Sequence, residues 1–129
     1  RVMFEITETV AMRNFAASSE LVSRLRALGC KVALDDFGAG MSSFGYLKNL
    51  ELDMVKIDGS FVQGLEHDRM SQSIVRAVTE IGHQQGLAVV AEWVSSEAML
   101  GILRDMGIDY AQGFALHRPE RVLFQRNPG

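Results

Sequence analysis

Short apolar runs alternate with stretches of helical periodicity along almost the whole chain, and that alternation points to repeated β/α units around a parallel sheet. Val2 to Thr7 reads as a strand. Ser18-Ser19-Glu20 then predicts a helix start, with the helix running through Leu21, Leu25 and Leu28 to a stop at Gly29. Lys31 to Asp35 reads as a second strand, which ends in the acidic, glycine-rich loop Asp35-Asp36-Phe37-Gly38-Ala39-Gly40; a short helix is expected from Ser43 to Leu50. Met54 to Asp58 is a third strand. Asp68 to Gln85 carries Ile74, Val78 and Ile81 at helical spacing, with Gly86 as its stop. Leu87 to Glu92 is a fourth strand, Ser96-Glu97 opens a helix through Leu103 and Met106 that ends at Gly107, and a short fifth strand is expected at Tyr110 to Gln112. The fold class is α/β. Four strand-loop-helix units and a final strand make about half of an eight-stranded β/α barrel, since a whole one needs roughly 200 or more residues.

With 47% hydrophobic and 22% charged residues among 129, and two prolines, the chain has the composition of one compact domain. A net charge of −3, from 13 Lys and Arg against 16 Asp and Glu, leaves no basic stripe for an extended phosphate backbone, so extended nucleic acid is not an expected partner. Cys30 has no internal disulfide partner and is expected to be a buried small hydrophobe. No apolar run approaches the ~20 residues that span a bilayer. No membrane contact is expected from this segment, and a cytoplasmic location is, whatever other domains anchor the parent protein. The first residues read as the middle of a strand, which suggests a piece of something longer.

In β/α architectures ligands bind beyond the carboxyl ends of the strands. The polar residues found there are Glu5 with Glu8, Asp35 with Asp36, Lys56 with Asp58, then Glu92 and Gln112. Gathering so many carboxylates in a barrel mouth is costly unless cations compensate them, and hard divalent ions with oxygen ligands do so best. Magnesium or manganese is therefore the expected cofactor. Lys56, between Val55 and Ile57, is expected to point inward and to need a carboxylate partner.

Five segments in order, Phe4-Glu5-Ile6-Thr7-Glu8, Ala33 to Gly40, Val55-Lys56-Ile57-Asp58, Val90-Ala91-Glu92 and Gln112-Gly113, resemble the successive motifs of the EAL domain family. The resemblance implies that residues 1–129 are a partial EAL domain, the C-terminal half of a TIM-type β/α barrel. It implies a parent enzyme that hydrolyses cyclic di-GMP to linear pGpG in bacterial second-messenger signalling, with two divalent cations and an activated water. By this resemblance Glu5 and Asp35 are metal ligands, Asp36 a ligand of the second metal, and Lys56 a holder of the nucleophilic water. Glu92 is the general base or a metal-associated carboxylate, Gln112 orients a ligand water, and Glu8 anchors the loop after Asp36. The family's Glu-Ala-Leu motif, a nearby arginine and an asparagine ligand do not occur in this chain. Such a half barrel is expected to be inactive alone and to pair with its missing N-terminal half or, as a homodimer, with a second copy.

Plainer readings exist for several of these residues. Asp35 and Asp36 could be turn formers, Asp58 and Glu8 helix caps or loop anchors, and Lys56 a structural partner of interior carboxylates. His67, His83 and His117 read as surface residues, Phe44 and Tyr46 as packing, and Gly38 and Gly40 as loop flexibility rather than a phosphate cradle. Within the matched region the family usually has Ala-Glu-Gly-Val-Glu where this chain has Ala91-Glu92-Trp93-Val94-Ser95, so a substrate-contacting glutamate is replaced by Ser95. Met41 stands for a common tyrosine, and Glu120 departs from the usual continuation after Pro119. These departures point to reduced or specialised activity rather than loss of fold, and Ser95 in particular supports an alternative, a degenerate EAL module that binds cyclic di-GMP or a protein partner without hydrolysis.

Overall fold

A computed structural model describes residues 3–38, 44–113 and 116–121. Strands β1 (Met3–Thr7), β2 (Lys31–Phe37), β3 (Met54–Ile57), β4 (Ala88–Val94) and β5 (Tyr110–Gly113) pair in sequential order, all parallel. A sixth strand, β6 (Leu116–Arg121), pairs antiparallel with β5 and is not expected from the sequence; β5 and β6 lie too close along the chain for a parallel crossover. Helices α1 (Glu8–Arg13), α2 (Phe15–Ala27), α3 (Gly59–Gln63), α4 (Arg69–Gln84) and α5 (Glu97–Met106) fill the connections, with a 3-10 helix over Phe44–Asn49. Met41 and the expected helix start at Ser43 lie outside the described residues, as do the side chains of Phe44, Tyr46, His117, Pro119 and Glu120.

Local capping chemistry sets the helix boundaries. Asp68 and Ser96 cap α4 and α5 by accepting from the Met70 and Met99 amides, as the sequence pattern predicts. The first connection differs from expectation: Thr7 caps α1 through the Val10 amide, and Asn14 caps α2 through the Ala17 amide. The helix expected from Ser18 thus starts earlier, because an asparagine cap outcompetes the serine pair inside the same helical run.

Period-two alternation divides the sheet into two faces. Ile6, Val32, Leu34, Val55, Ile57, Val89, Ala91 and Ala111 belong to the core cluster that also takes in Val22, Val75, Val78, Met99 and Leu103 from the helices. The alternate positions, Glu5, Ala33, Asp35, Lys56, Val90, Glu92 and Gln112, share the opposite face. Cys30 is only partly buried, between the end of α2 and β2, and not the core residue expected. No helix among the described residues is long and apolar enough to cross a membrane.

The amino-terminal ends of the strands are fastened by two equivalent aspartates. Asp53, just before β3, accepts from the Val32 amide at 2.8 Å and pairs with Arg26 at 3.2 Å. Asp109, just before β5, accepts from the Val89 amide at 2.8 Å and meets His83 Nε2 at 2.7 Å. Each ties the strand it precedes to its neighbour. Replacing Asp53 by Ala leaves the Val32 amide without its acceptor, and urea denaturation should show a loss of about 1–3 kcal/mol.

Candidate metal centre and active site

At the carboxyl ends of the strands, β2 and β4 each break register by one residue. The β2 to β3 pairing shifts between Leu34 and Phe37, and the β4 to β5 pairing between Ala91 and Val94. Leu34 and Phe37 both belong to the helix-side core, as do Ala91 and Val94, so two residues occupy the interval where alternation allows one. Asp35 with Asp36, and Glu92 with Trp93, are those pairs. The second member of each carries the strain of the bulge, Asp36 at φ 56° and Trp93 at φ 65°. For a bulky side chain such a backbone costs on the order of 1 kcal/mol.

The two bulges bring Asp35, Asp36 and Glu92 together, each offering a carboxylate oxygen within 4.8 Å of the others. Burial pushes the Glu92 carboxyl up to about 7, helped by the charge of Asp35, a hydrogen bond with Asp35 and the charge of Asp36; Lys56 opposes the shift. Asp36 is raised as well, through partial desolvation first and then the charges of Asp35, Asp58 and Glu5. Three carboxylates thus share one site, and the nearby Lys56 ammonium is already paired with Glu5. That donor set fits a hard divalent cation.

The remaining expected site residues are placed around this cluster. Lys56, buried, donates to Glu5 Oε2 at 2.6 Å, so its inward direction and carboxylate partner are as expected. Glu5 lies on the same sheet face but is engaged with Lys56 and is not one of the three clustered carboxylates. Glu8, 3% exposed at the start of α1, accepts from the Gly38 amide at 3.1 Å and so ties α1 to the loop after Asp36. Gly38 has φ 101°, a conformation that a side chain rarely adopts, so its role is a defined turn rather than loop flexibility. Asp58 caps α3 by position without a side-chain bond to the helix amides, and its carboxylate accepts from Ser60 Oγ instead.

Gln112, at the end of β5, has a buried Oε1 with no hydrogen-bond partner. Such an orphaned acceptor is expensive unless something else supplies a donor. It lines a cavity of about 450 Å³ with Gln63, Glu92, Trp93, Ser95 and Gly113. The Ser95 hydroxyl meets Met99 Sδ at 3.3 Å. A larger cavity, of about 600 Å³, opens at the opposite ends of the strands beside Met3, Lys31, Met54 and Ala88; its acids Glu51 and Asp53 are already bonded to Ser23 and to Arg26 with the Val32 amide. Glu92 connects the smaller cavity to the carboxylate cluster, whose other members do not line it. His67 and His83 are exposed, and His83 has the partner Asp109 that sequence spacing did not reveal.

The EAL domain model matches residues 1–119. The chain belongs to the EAL domain family. Among relatives of this EAL chain, the cyclic di-GMP phosphodiesterase PdeB of Shewanella oneidensis is 44% identical over 119 residues, 92% of this chain and 14% of that protein. A solved cyclic di-GMP complex of the PaMucR phosphodiesterase superposes with a TM-score of 0.84 at 40% identity, covering 92% of this chain and 48% of that one. The manganese and cyclic di-GMP complex of Klebsiella pneumoniae BlrP1 does so with a TM-score of 0.84 at 35% identity, over 92% of this chain and 30% of that one. The fold is accordingly that of a TIM-type barrel, of which the chain spans about half the length of the PaMucR structure.

The raised Glu92 carboxyl has a measurable consequence. The unfolded chain releases this proton near the ordinary value of 4.5 and the folded chain only near 7, so protonation favours folding across that interval. Metal-free protein should therefore lose thermal stability as pH rises from about 4.5 to about 7, with Asp36 adding in the same direction. Calorimetric melts in chelator should show this fall, Glu92→Gln should lessen it, and magnesium or manganese should flatten it. A Glu92→Gln curve parallel to that of the unchanged protein would contradict the assignment.

Proposed function

We propose that the parent protein hydrolyses cyclic di-GMP to linear pGpG and that this chain contributes the later part of its active site. The observation that carries the reading is the convergence of Asp35, Asp36 and Glu92 at two register breaks, beside the Lys56–Glu5 pair. Relatives named as cyclic di-GMP phosphodiesterases and the complexes of PaMucR and BlrP1 supply the substrate class.

In this reading Asp35 and Asp36 are the principal holders of divalent metal, magnesium or manganese, with Glu5 one strand away on the same face. When bound there, such cations would supply Lewis acidity toward the phosphodiester and lower the pKa of a bound water. Glu92, half-buried beside Asp35 and Asp36, accepts a proton from the attacking water as the general base. Lys56 places positive charge where the phosphodiester gathers negative charge, and Glu5 fixes its ammonium. Gln112 Oε1 accepts from a water at the edge of the site. Glu8 acts at a distance, by holding the loop that follows Asp36 through Gly38.

Strand β1 has one neighbour among the described strands, and Met3 and Phe4 on it are 39% and 41% exposed. We propose that this edge takes the remaining strands of the barrel, from the parent chain or from a second copy. Ser95, whose hydroxyl is turned to Met99, favours the second reading of a module that binds cyclic di-GMP without hydrolysis.

The deciding measurement is pGpG release by the full-length parent with magnesium or manganese. Glu92→Gln and Asp36→Asn are each expected to reduce kcat by about 100-fold or more. Tight cyclic di-GMP binding with no turnover above the Glu92→Gln background would instead establish the binding module.

A further inference from the structure

Trp93 is the residue on the site face that this chemistry leaves unused. The β4 register break puts it in the same interval as Glu92, and it lines the 450 Å³ cavity with Glu92, Ser95 and Gln112. One side of the indole lies on α3: a Cβ added to Gly59 would fall 2.1 Å from Trp93 Cδ2 and 2.5 Å from Cε3, so the ring covers that glycine and depends on its having no side chain. Even so, Trp93 is 53% exposed. A large aromatic is thus supported from behind by backbone and open in front, at a backbone angle of φ 65° that a smaller residue would hold with less strain.

We infer that Trp93 is a stacking platform for one purine base of the cyclic dinucleotide, and so a specificity-determining residue of the site; this rests on the substrate reading proposed above. A planar π-system backed by a fixed surface is what base stacking requires, because the aromatic loses little freedom when the base arrives. The cavity falls in the roughly 300–1,000 Å³ range of small-molecule sites. Its polar groups suit the edge of a base. The buried Gln112 Oε1 reaches the base edge through the water it accepts from, and Gln63 and Ser95 also line the cavity. The phosphodiester then lies toward Asp35 and Asp36, on the other side of Glu92.

Trp93 is the one tryptophan of this chain, which makes its emission a local probe. In the full-length protein, the part of the fluorescence that disappears in Trp93→Phe should be quenched saturably by pGpG, whereas ribose 5-phosphate, which has no base, should leave it unchanged. Trp93→Gly relieves the backbone strain and should fold, yet it should weaken pGpG binding and raise KM for cyclic di-GMP by about tenfold, while Trp93→Phe stays within about threefold of the unchanged protein. Quenching by pGpG without any hydrolysis of cyclic di-GMP supports the platform and refutes only the hydrolytic reading. Hydrolysis with an unchanged KM in Trp93→Gly overturns the platform and leaves the hydrolytic reading intact. Equal quenching by ribose 5-phosphate overturns it too.

Discussion

One extra residue at the end of β2 and one at the end of β4 govern the chemistry of this domain. In a regular strand, adjacent side chains point to opposite faces, and an Asp-Asp pair would send one carboxylate into the helix-side core. The register break lets the apolar pattern resume at Phe37 and Val94 while the two intervening residues stay on the site side. The cost is local: positive φ at Asp36 and Trp93, neither of which is glycine. The gain is a concentration of negative charge that one regular strand end cannot supply.

That concentration sets the electrostatics of the whole mouth. Burial and the charges of Asp35 and Asp36 hold the Glu92 proton to about pH 7 against the opposing charge of Lys56, and burial with the charges of Asp35, Asp58 and Glu5 raises Asp36 as well. Lys56 is itself buried and would be costly without Glu5, so the two act as one unit that crosses from β3 to β1. The sheet underneath is therefore braced at both ends by charge: Glu5 with Lys56 at the carboxyl ends, and Asp53 and Asp109 on the Val32 and Val89 amides at the amino ends. Between these braces the strands are apolar and buried, which lets the site groups sit on rigid elements rather than on loops.

Most of the fold was legible in the sequence because each element carries its own local signal. Asp68 and Ser96 cap helices whose apolar residues recur at helical spacing, and Gly107 ends one of them at φ 88°. The strand-end polar residues were legible for the same reason: each stands in or just after a short apolar run. Less local features were missed. The early start of α2 depended on Asn14, the helix α1 on Thr7, and the antiparallel β6 is a mostly polar stretch, His117 to Arg121 after Leu116, that carries no strand signal of its own. Cys30 read as core but is partly exposed, since the chain between α2 and β2 passes over the rim of the sheet.

By itself the sequence determined the β/α repeat, the family and the set of polar residues at the strand ends, because periodicity, caps and motif order are properties of neighbours along the chain. Only the tertiary structure decided how those polar residues divide: Asp35, Asp36 and Glu92 into one cluster, Glu5 onto Lys56, Glu8 onto Gly38, and Gln112 left with an unpartnered acceptor. It also decided that Trp93, which in the sequence is merely bulk in place of a glycine, faces the site with an open ring surface. The physical reason is that strand register and bulge position fix which side chains meet across a sheet, and both arise from pairing between parallel strands 19 to 34 residues apart, while the Glu5–Lys56 contact reaches across an intervening strand with a separation of 51.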